Sequence, residues 1–170
     1  MFILRRFELE SFLQNIEKHE ITDAAFVPPM VHMILASPLT KRYSLKSIRH
    51  AYAGAAPLDA GSQRQMKDLL APDAPLTQVW GMTETSCTCS CLPFEYGHET
   101  TGSVGRMLPN TDVKLCDDDG NEITADDIRG ELCVKGPLVV QGYYLNREAN
   151  ARDWDTEGYF HTGDIACKLS

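Results

Sequence analysis

Leu76-Thr77-Gln78-Val79-Trp80-Gly81-Met82-Thr83-Glu84 reads as an apolar strand running straight into a polar turn. Leu76 to Trp80 supply the apolar approach, and Gly81 lets the backbone turn where a Cβ would obstruct it. Thr83 and Glu84 follow at once, so an indole, a hydroxyl and a carboxylate gather at the mouth of the strand.

Upstream, similar strands recur between helical segments. Leu9, Phe12, Leu13 and Ile16 repeat at the i, i+3, i+4, i+7 spacing of an amphipathic helix. A short β run over Ala24–Val27 is closed by Pro28-Pro29, which cannot continue a ladder but can open a helix over Met30–Ala36. Ile48–Ala53 reads as a strand ended by Gly54, and Leu58–Leu70 as a helix with Ser62, Met66, Leu69 and Leu70 near one face. The alternation helix, strand, helix, strand, helix, strand predicts an α/β fold, part of a parallel-sheet subdomain.

Downstream the pattern changes. Val113 and Leu115 alternate with polar residues, Asp117-Asp118-Asp119-Gly120 is an acidic turn, and Leu132 and Val134 alternate after Gly130. Leu138–Val140 continue the β character as far as Gly142. Short strands punctuated by glycine predict a small antiparallel sheet or β-barrel. Charge divides the chain near the same place. Residues 1–94 balance nine acidic against nine basic side chains, whereas residues 95–170 carry fifteen against seven. The expected organisation is an α/β subdomain over residues 1–94 and a β-barrel-like subdomain over residues 95–170.

The 170 residues suit one generous domain or two small ones, with a net charge of −8. Lys and Arg are not clustered, which argues against a nucleic-acid surface. No apolar run approaches the roughly 18 residues of a membrane span. Met1–Arg6 place apolar residues before Arg5-Arg6, the reverse of a secretory signal, so a cytoplasmic chain with reduced cysteines is expected. Cys87, Cys89 and Cys91 alternate as if on one face of a strand, without the paired C-x₂₋₄-C spacing of a zinc site.

Ligands of open α/β sheets bind outside the carboxyl ends of strands, and Gly54 and Gly81 both follow such ends. The small residues of Gly54-Ala55-Ala56-Pro57-Leu58 admit a ligand close to the backbone beside a helix N-terminus, or make a tight turn chosen for packing. At the second end, the order of groups suits an adenine ring on Trp80, a phosphate at Thr83 and a magnesium ion near Glu84. A plain strand end with an exposed Trp is the other reading. Gly158-Tyr159-Phe160-His161-Thr162-Gly163-Asp164 ends in a carboxylate able to accept both hydroxyls of a ribose, or to close an ordinary acidic turn. His161 reads as structural, because no Ser or Cys nucleophile is spaced to pair with it. Gly130–Gly136 and Gln141–Asn146 read as scaffold.

Taken in order, Gly54-Ala55-Ala56-Pro57-Leu58, Trp80-Gly81-Met82-Thr83-Glu84, Gly102-Ser103-Val104-Gly105-Arg106, Gly130-Glu131-Leu132 with Gly142-Tyr143, and Thr162-Gly163-Asp164 resemble one family. It is the adenylate-forming superfamily of acyl-CoA synthetases, in its 4-coumarate–CoA ligase and luciferase-like branch. The resemblance runs from Phe7 to Ile165. It implies activation of a small carboxylic acid with ATP and Mg²⁺ to an acyl-adenylate, then acyl transfer to coenzyme A. It implies that Trp80, where the family usually has Tyr, stacks on adenine, and that Asp164 holds the ribose. Thr83 and Glu84 would be the catalytic pair, on the α-phosphate and the magnesium respectively. Gly54, Ala55, Ala56 and Pro57 would border the acyl and adenine pockets, with Gln78, Val79, Gly81 and Met82 in the same AMP-binding stretch. Phe26, Val27 and Pro28 would wall the acyl pocket.

The chain also departs from the family. A Ser/Thr/Gly-rich phosphate loop has no counterpart in it, nor does the C-terminal domain with its catalytic lysine and ribose arginine. Val79 replaces a common glycine, and Ala166-Cys167-Lys168-Leu169-Ser170 stand where a glycine and an aromatic are expected. The resemblance is therefore to the middle of a ligase, and the chain alone is expected to be inactive. A truncated nucleotide-binding module and a piece of a peptide-synthetase adenylation domain are the alternatives, and a peroxisomal location stays open for full-length relatives.

Overall fold

The computed structural model describes residues 3–93, 95 and 102–169. The chain divides into two compact units. The first takes the residues to Gly81 and then Ser90–Arg106, and the second takes Met82–Cys89 and the residues from Met107 onward. Residues 94 and 96–101, where the expected subdomain boundary falls, lie outside the described residues, as do Met1 and Phe2 of the leading apolar patch.

In the first unit α1 (Leu9–Lys18), β1 (Asp23–Phe26), α2 (Pro28–Ala36), β2 (His50–Ala53), α3 (Ala60–Leu69) and β3 (Leu76–Trp80) alternate as the apolar spacing predicts. The three strands lie in sequence order and pair in parallel, Ala24 opposite Ala51 and Ala51 opposite Leu76. β4 (Ser90–Cys91) adds antiparallel to β3, and β5 (Arg106–Met107) ends the sheet. Leu13 and Ile16 of α1, Val31 and Ile34 of α2, and Met66 of α3 close a core over Ile48, Ala51 and Leu76. α2 starts on Pro28 because a first-turn proline loses no hydrogen bond and its φ is already helical. α3 starts at Ala60, later than the expected Leu58, because Asp59 caps it by accepting the Ser62 N–H at 2.9 Å.

One cysteine expectation fails here. Cys87, Cys89 and Cys91 share no strand face, because β4 covers only Ser90–Cys91. Cys87 sits exposed at a left-handed φ of 91°, whereas Cys89 is buried.

In the second unit β6 (Asp112–Cys116), β7 (Glu122–Ile123), β8 (Arg129–Lys135) and β9 (Phe160–Cys167) form an antiparallel sheet in the order β7-β6-β8-β9. Asp117 ties the acidic turn by accepting the N–H groups of Asp119 and Asn121 at 3.0 and 2.8 Å. α4 (Arg147–Asp153) is capped by Asn146, which accepts the Ala149 N–H at 3.1 Å. Leu138–Val140 make a turn instead of the expected strand. Their backbone is satisfied elsewhere: the Ser86 hydroxyl donates to the Leu138 carbonyl at 2.8 Å, and Val140 N–H donates to the Glu84 carbonyl at 2.8 Å. Leu115, Leu132, Val134 and Phe160 form the core, and Trp154 packs between Tyr143 and Phe160 with ring centroids 5.5 and 4.7 Å away. Among the described residues no helix is long and apolar enough to cross a membrane.

Candidate functional site

At the carboxyl ends of β2 and β3 the first unit builds a close-packed shelf. A Cβ on Gly54 would fall 2.6 Å from Val79 Cγ2 and 3.1 Å from the Val79 carbonyl oxygen, so only glycine lets the turn lie against β3. Two buried glutamines pin the turn. Gln78 Oε1 accepts the Leu58 N–H at 3.4 Å, and Gln63 Nε2 donates to the Leu58 carbonyl at 2.7 Å. Gln63 escaped the sequence reading, although it stands three residues before Met66 on the buried face of α3. Ala55, Ala56 and Pro57 are exposed, Trp80 and Gly81 are half-buried, and Ala55 holds a left-handed φ of 70°. Of the expected acyl wall, Phe26 and Pro28 are buried and Val27 is exposed. Phe26 faces the core, edge-on to Phe12 at 6.1 Å.

The second unit has a 3₁₀ turn over Thr83–Thr85. Thr85 is fully buried and locks the turn: its Oγ1 accepts the Met82 N–H at 3.0 Å and donates to the Met82 carbonyl at 3.1 Å. Thr83 is left exposed and Glu84 half-buried. The Tyr143 hydroxyl donates to Glu84 Oε1 at 2.8 Å, and this acceptance, with burial, raises the phenol's pKa above the ordinary tyrosine range. Tyr143 is braced in turn by Asn150, whose Oδ1 accepts its N–H at 2.7 Å and whose Nδ2 donates to its carbonyl at 3.1 Å. The Gln141–Asn146 segment, expected to be plain scaffold, thus orients the carboxylate.

Asp164 is presented by a bulge on β9. The ladder pairs Glu131 with Ile165 but Cys133 with His161, so Thr162–Asp164 loop out, with Gly163 at a φ of 73°. Glu131 grips the bulge with both oxygens: Oε1 accepts the Gly163 N–H at 3.0 Å, and Oε2 lies 2.8 Å from His161 Nδ1. The Thr162 hydroxyl donates to the Leu132 carbonyl at 2.7 Å and accepts the Asp164 N–H at 3.1 Å. Met82, Tyr143, Arg152, His161, Thr162 and Gly163 line a cavity of about 370 Å³, so the turn and the bulge open on one space. Asp164 itself is exposed. A larger cavity, about 420 Å³, lies before the amino ends of β1 and β2, lined by Glu17, Glu20, Lys46 and Arg49 among others. It holds none of the residues singled out by sequence and sits at the strand ends opposite the Gly54 and Trp80 shelf.

The first unit thus has a close-packed glycine turn, and the second a carboxylate oriented by a phenol and an acidic bulge. The family described as AMP-binding enzyme matches residues 1–144. An acyl-CoA synthetase of Alternaria alternata is 58% identical over 97% of this chain and 28% of its own length. A 4-coumarate–CoA ligase of Solanum tuberosum is 36% identical over 97% of this chain and 31% of its own length. Among solved structures, an O-succinylbenzoate coenzyme A synthetase of Bacillus subtilis, in complex with ATP and magnesium ion, superposes with a TM-score of 0.80 at 28% identity. That likeness covers 98% of this chain and 33% of the other. The chain spans about 30% of the length of the curated relatives it matches.

Proposed function

The chain belongs to the family of AMP-binding enzymes, and from that membership we propose that it is a segment of an ATP-dependent acyl- or aryl-CoA ligase carrying part of the nucleotide site. In the reaction, a carboxylate oxygen attacks the α-phosphorus of ATP and the bond to pyrophosphate breaks, leaving an acyl-adenylate. The thiol of coenzyme A then attacks the acyl carbon and expels AMP, with the thiol proton passing to solvent.

The observation that carries this reading is the hydrogen bond that orients Glu84. A carboxylate has about four lone-pair sites, so the bond from Tyr143 fixes its direction without saturating it. The donor set fits magnesium, which is held by one or two carboxylates together with phosphate oxygens. When bound, the ion supplies neutralisation of phosphate charge. The chain's own groups do the rest. Glu84 is the metal ligand, and the exposed Thr83 hydroxyl donates to an α-phosphate oxygen. Trp80 stacks on adenine, and Asp164 accepts the ribose hydroxyls. Gly54, Ala55, Ala56 and Pro57, with Gln78, Val79, Gly81 and Met82, border the nucleotide and the acyl group.

Calorimetric titration with AMP tests the assignment. Base stacking on an aromatic contributes ~1–3 kcal/mol, so Trp80→Ala weakens AMP binding by about tenfold or more, and an unchanged affinity would refute the stacking role. Pyrophosphate exchange with ATP and a panel of carboxylic acids tests the activity. Loss of one preorganised charge contact in such a site costs ~10²–10³ in rate, and the chain spans about 30% of its relatives. The 170-residue chain alone is therefore expected to show no exchange, and clear turnover by the pure chain would overturn that expectation.

A further inference from the structure

Three side chains with metal-ligating atoms converge where β8 meets β9, apart from Thr83, Glu84 and Asp164. Glu131 and Cys133 stand two residues apart on β8 and so share a face, and His161 on β9 is the direct cross-strand partner of Cys133. Cys133 Sγ lies 3.5 Å from His161 Nδ1, and Glu131 Oε2 lies 2.8 Å from the same nitrogen. All three donor atoms fall within 4.8 Å of one another. Cys133 is fully buried, whereas the side chains of Glu131 and His161 keep 29% and 27% of their surface and line the 370 Å³ cavity.

We infer that Glu131, Cys133 and His161 form a zinc-binding site with its fourth coordination position open to that cavity. The zinc site would share this cavity with the proposed nucleotide residues, because Glu131 also holds the bulge that presents Asp164, but its test by metal binding does not depend on ligase activity. Thiolate with imidazole selects zinc over the hard cations magnesium and calcium. Bond lengths of about 2.3 Å to sulfur and 2.0 Å to nitrogen, at a tetrahedral angle, place those two atoms about 3.5 Å apart, which is the separation observed between Cys133 and His161. The same geometry asks for about 3.3 Å between nitrogen and carboxylate oxygen. Oε2 must therefore swing outward by about half an ångström while Oε1 stays on the Gly163 N–H. The outer partners must adjust as well. His161 Nε2 lies 4.0 Å from Asp155 Oδ2, beyond hydrogen-bond reach while that oxygen accepts from Lys114 Nζ at 2.6 Å, so the ring would have to close about 1 Å for Asp155 to back a metal-bound imidazole. Cys133 Sγ donates to Cys116 Sγ at 3.6 Å, so loss of the Cys133 proton requires that bond to reverse, with the Cys116 S–H donating to the thiolate. On binding, the Nδ1 proton moves to Nε2, on the side of Asp155, and the thiol proton of Cys133 leaves to solvent, so one proton is released per ion.

Cobalt(II) titration of the reduced 170-residue chain tests the site. Saturation at equimolar cobalt is expected, with a thiolate-to-cobalt charge-transfer band and the intense visible bands of a tetrahedral centre, both bleached by equimolar zinc. Cys133→Ser removes the charge-transfer band. His161→Gln, at a half-exposed position, weakens zinc binding by more than the ~10–100-fold that loss of an outer partner costs. A chain with both exposed thiols replaced, Cys87→Ser and Cys167→Ser, keeps the spectrum. No charge-transfer band in the wild type would overturn the site. So would a band that survives Cys133→Ser, a cobalt or zinc affinity unchanged in His161→Gln, or a band lost with the two exposed thiols. Circular dichroism of each variant confirms folding, and His161→Gln decides the matter if Cys133→Ser unfolds.

Discussion

Ala55 holds a left-handed φ of 70° directly after a glycine that packs against Val79. An L-residue with a Cβ pays steric strain of about 1–2 kcal/mol in that region, part of which glycine recovers. Ala55→Gly is therefore expected to raise the melting temperature, and roughly 2–4 °C follows from about 1 kcal/mol in a chain of this size. A scan that showed a lower midpoint would mean that the shelf is not strained at this residue. The pairing of Tyr143 with Glu84 gives a pH-dependent counterpart. Because the phenol's pKa is raised in the folded chain, its contribution is complete below the ordinary tyrosine value of about 10 and is lost as pH climbs through the folded value. Tyr143→Phe should cost about 1 kcal/mol at neutral pH, and the difference from wild type should shrink in denaturant titrations carried into the alkaline range.

Asp155 organises the segment between α4 and β9. Its Oδ1 accepts the N–H groups of Glu157 and Tyr159 at 2.9 and 2.8 Å, while Oδ2 receives Lys114 Nζ from β6 at 2.6 Å. Burial by itself would raise its pKa, but the Lys114 ammonium and the backbone donors outweigh that and hold the carboxyl below the usual range. The contribution is therefore present above about pH 4 and is lost as pH falls through the depressed folded value. Asp155→Ala should cost about 2–3 kcal/mol at neutral pH, and urea midpoints for the two proteins should converge in acid. The alternation from α1 to β3 was legible because its apolar residues recur at helical and strand spacing over a shared core. α4 was not, because only Ala149 of its seven residues is buried and its signal reduces to the Asn146 cap. Leu138–Val140 misled for the opposite reason: apolar residues suggested a strand, while their backbone pairs with Ser86 and Glu84. Of the residues proposed for the nucleotide, Trp80, Thr83 and Glu84 announced themselves as neighbours in sequence. Tyr143 did not, being 59 residues from the carboxylate it orients.

Across the whole molecule each unit has a core of its own, Leu13, Ile48 and Leu76 in the first and Leu132, Val134 and Phe160 in the second. Phe160→Ala removes a fully enclosed ring, which typically costs 3–5 kcal/mol, about the largest loss a single truncation produces. Hydrogen exchange should then report lost protection along β6, β8 and β9, and unchanged protection there would show that the ring contributes little to its sheet. The second unit also draws on residues far from the rest of it in the chain. Met82–Cys89 belong to it, although the first unit both precedes and follows them. Ser86 and the Glu84 carbonyl complete the backbone bonding of Leu138–Val140, and the Glu84 side chain receives Tyr143. Cutting the gene after Arg106 would thus sever the later unit from a piece of its own interior. A downstream fragment would start with unanswered donors and acceptors around Leu138–Val140, and supplying Met82–Cys89 as a separate peptide is the direct way to restore them.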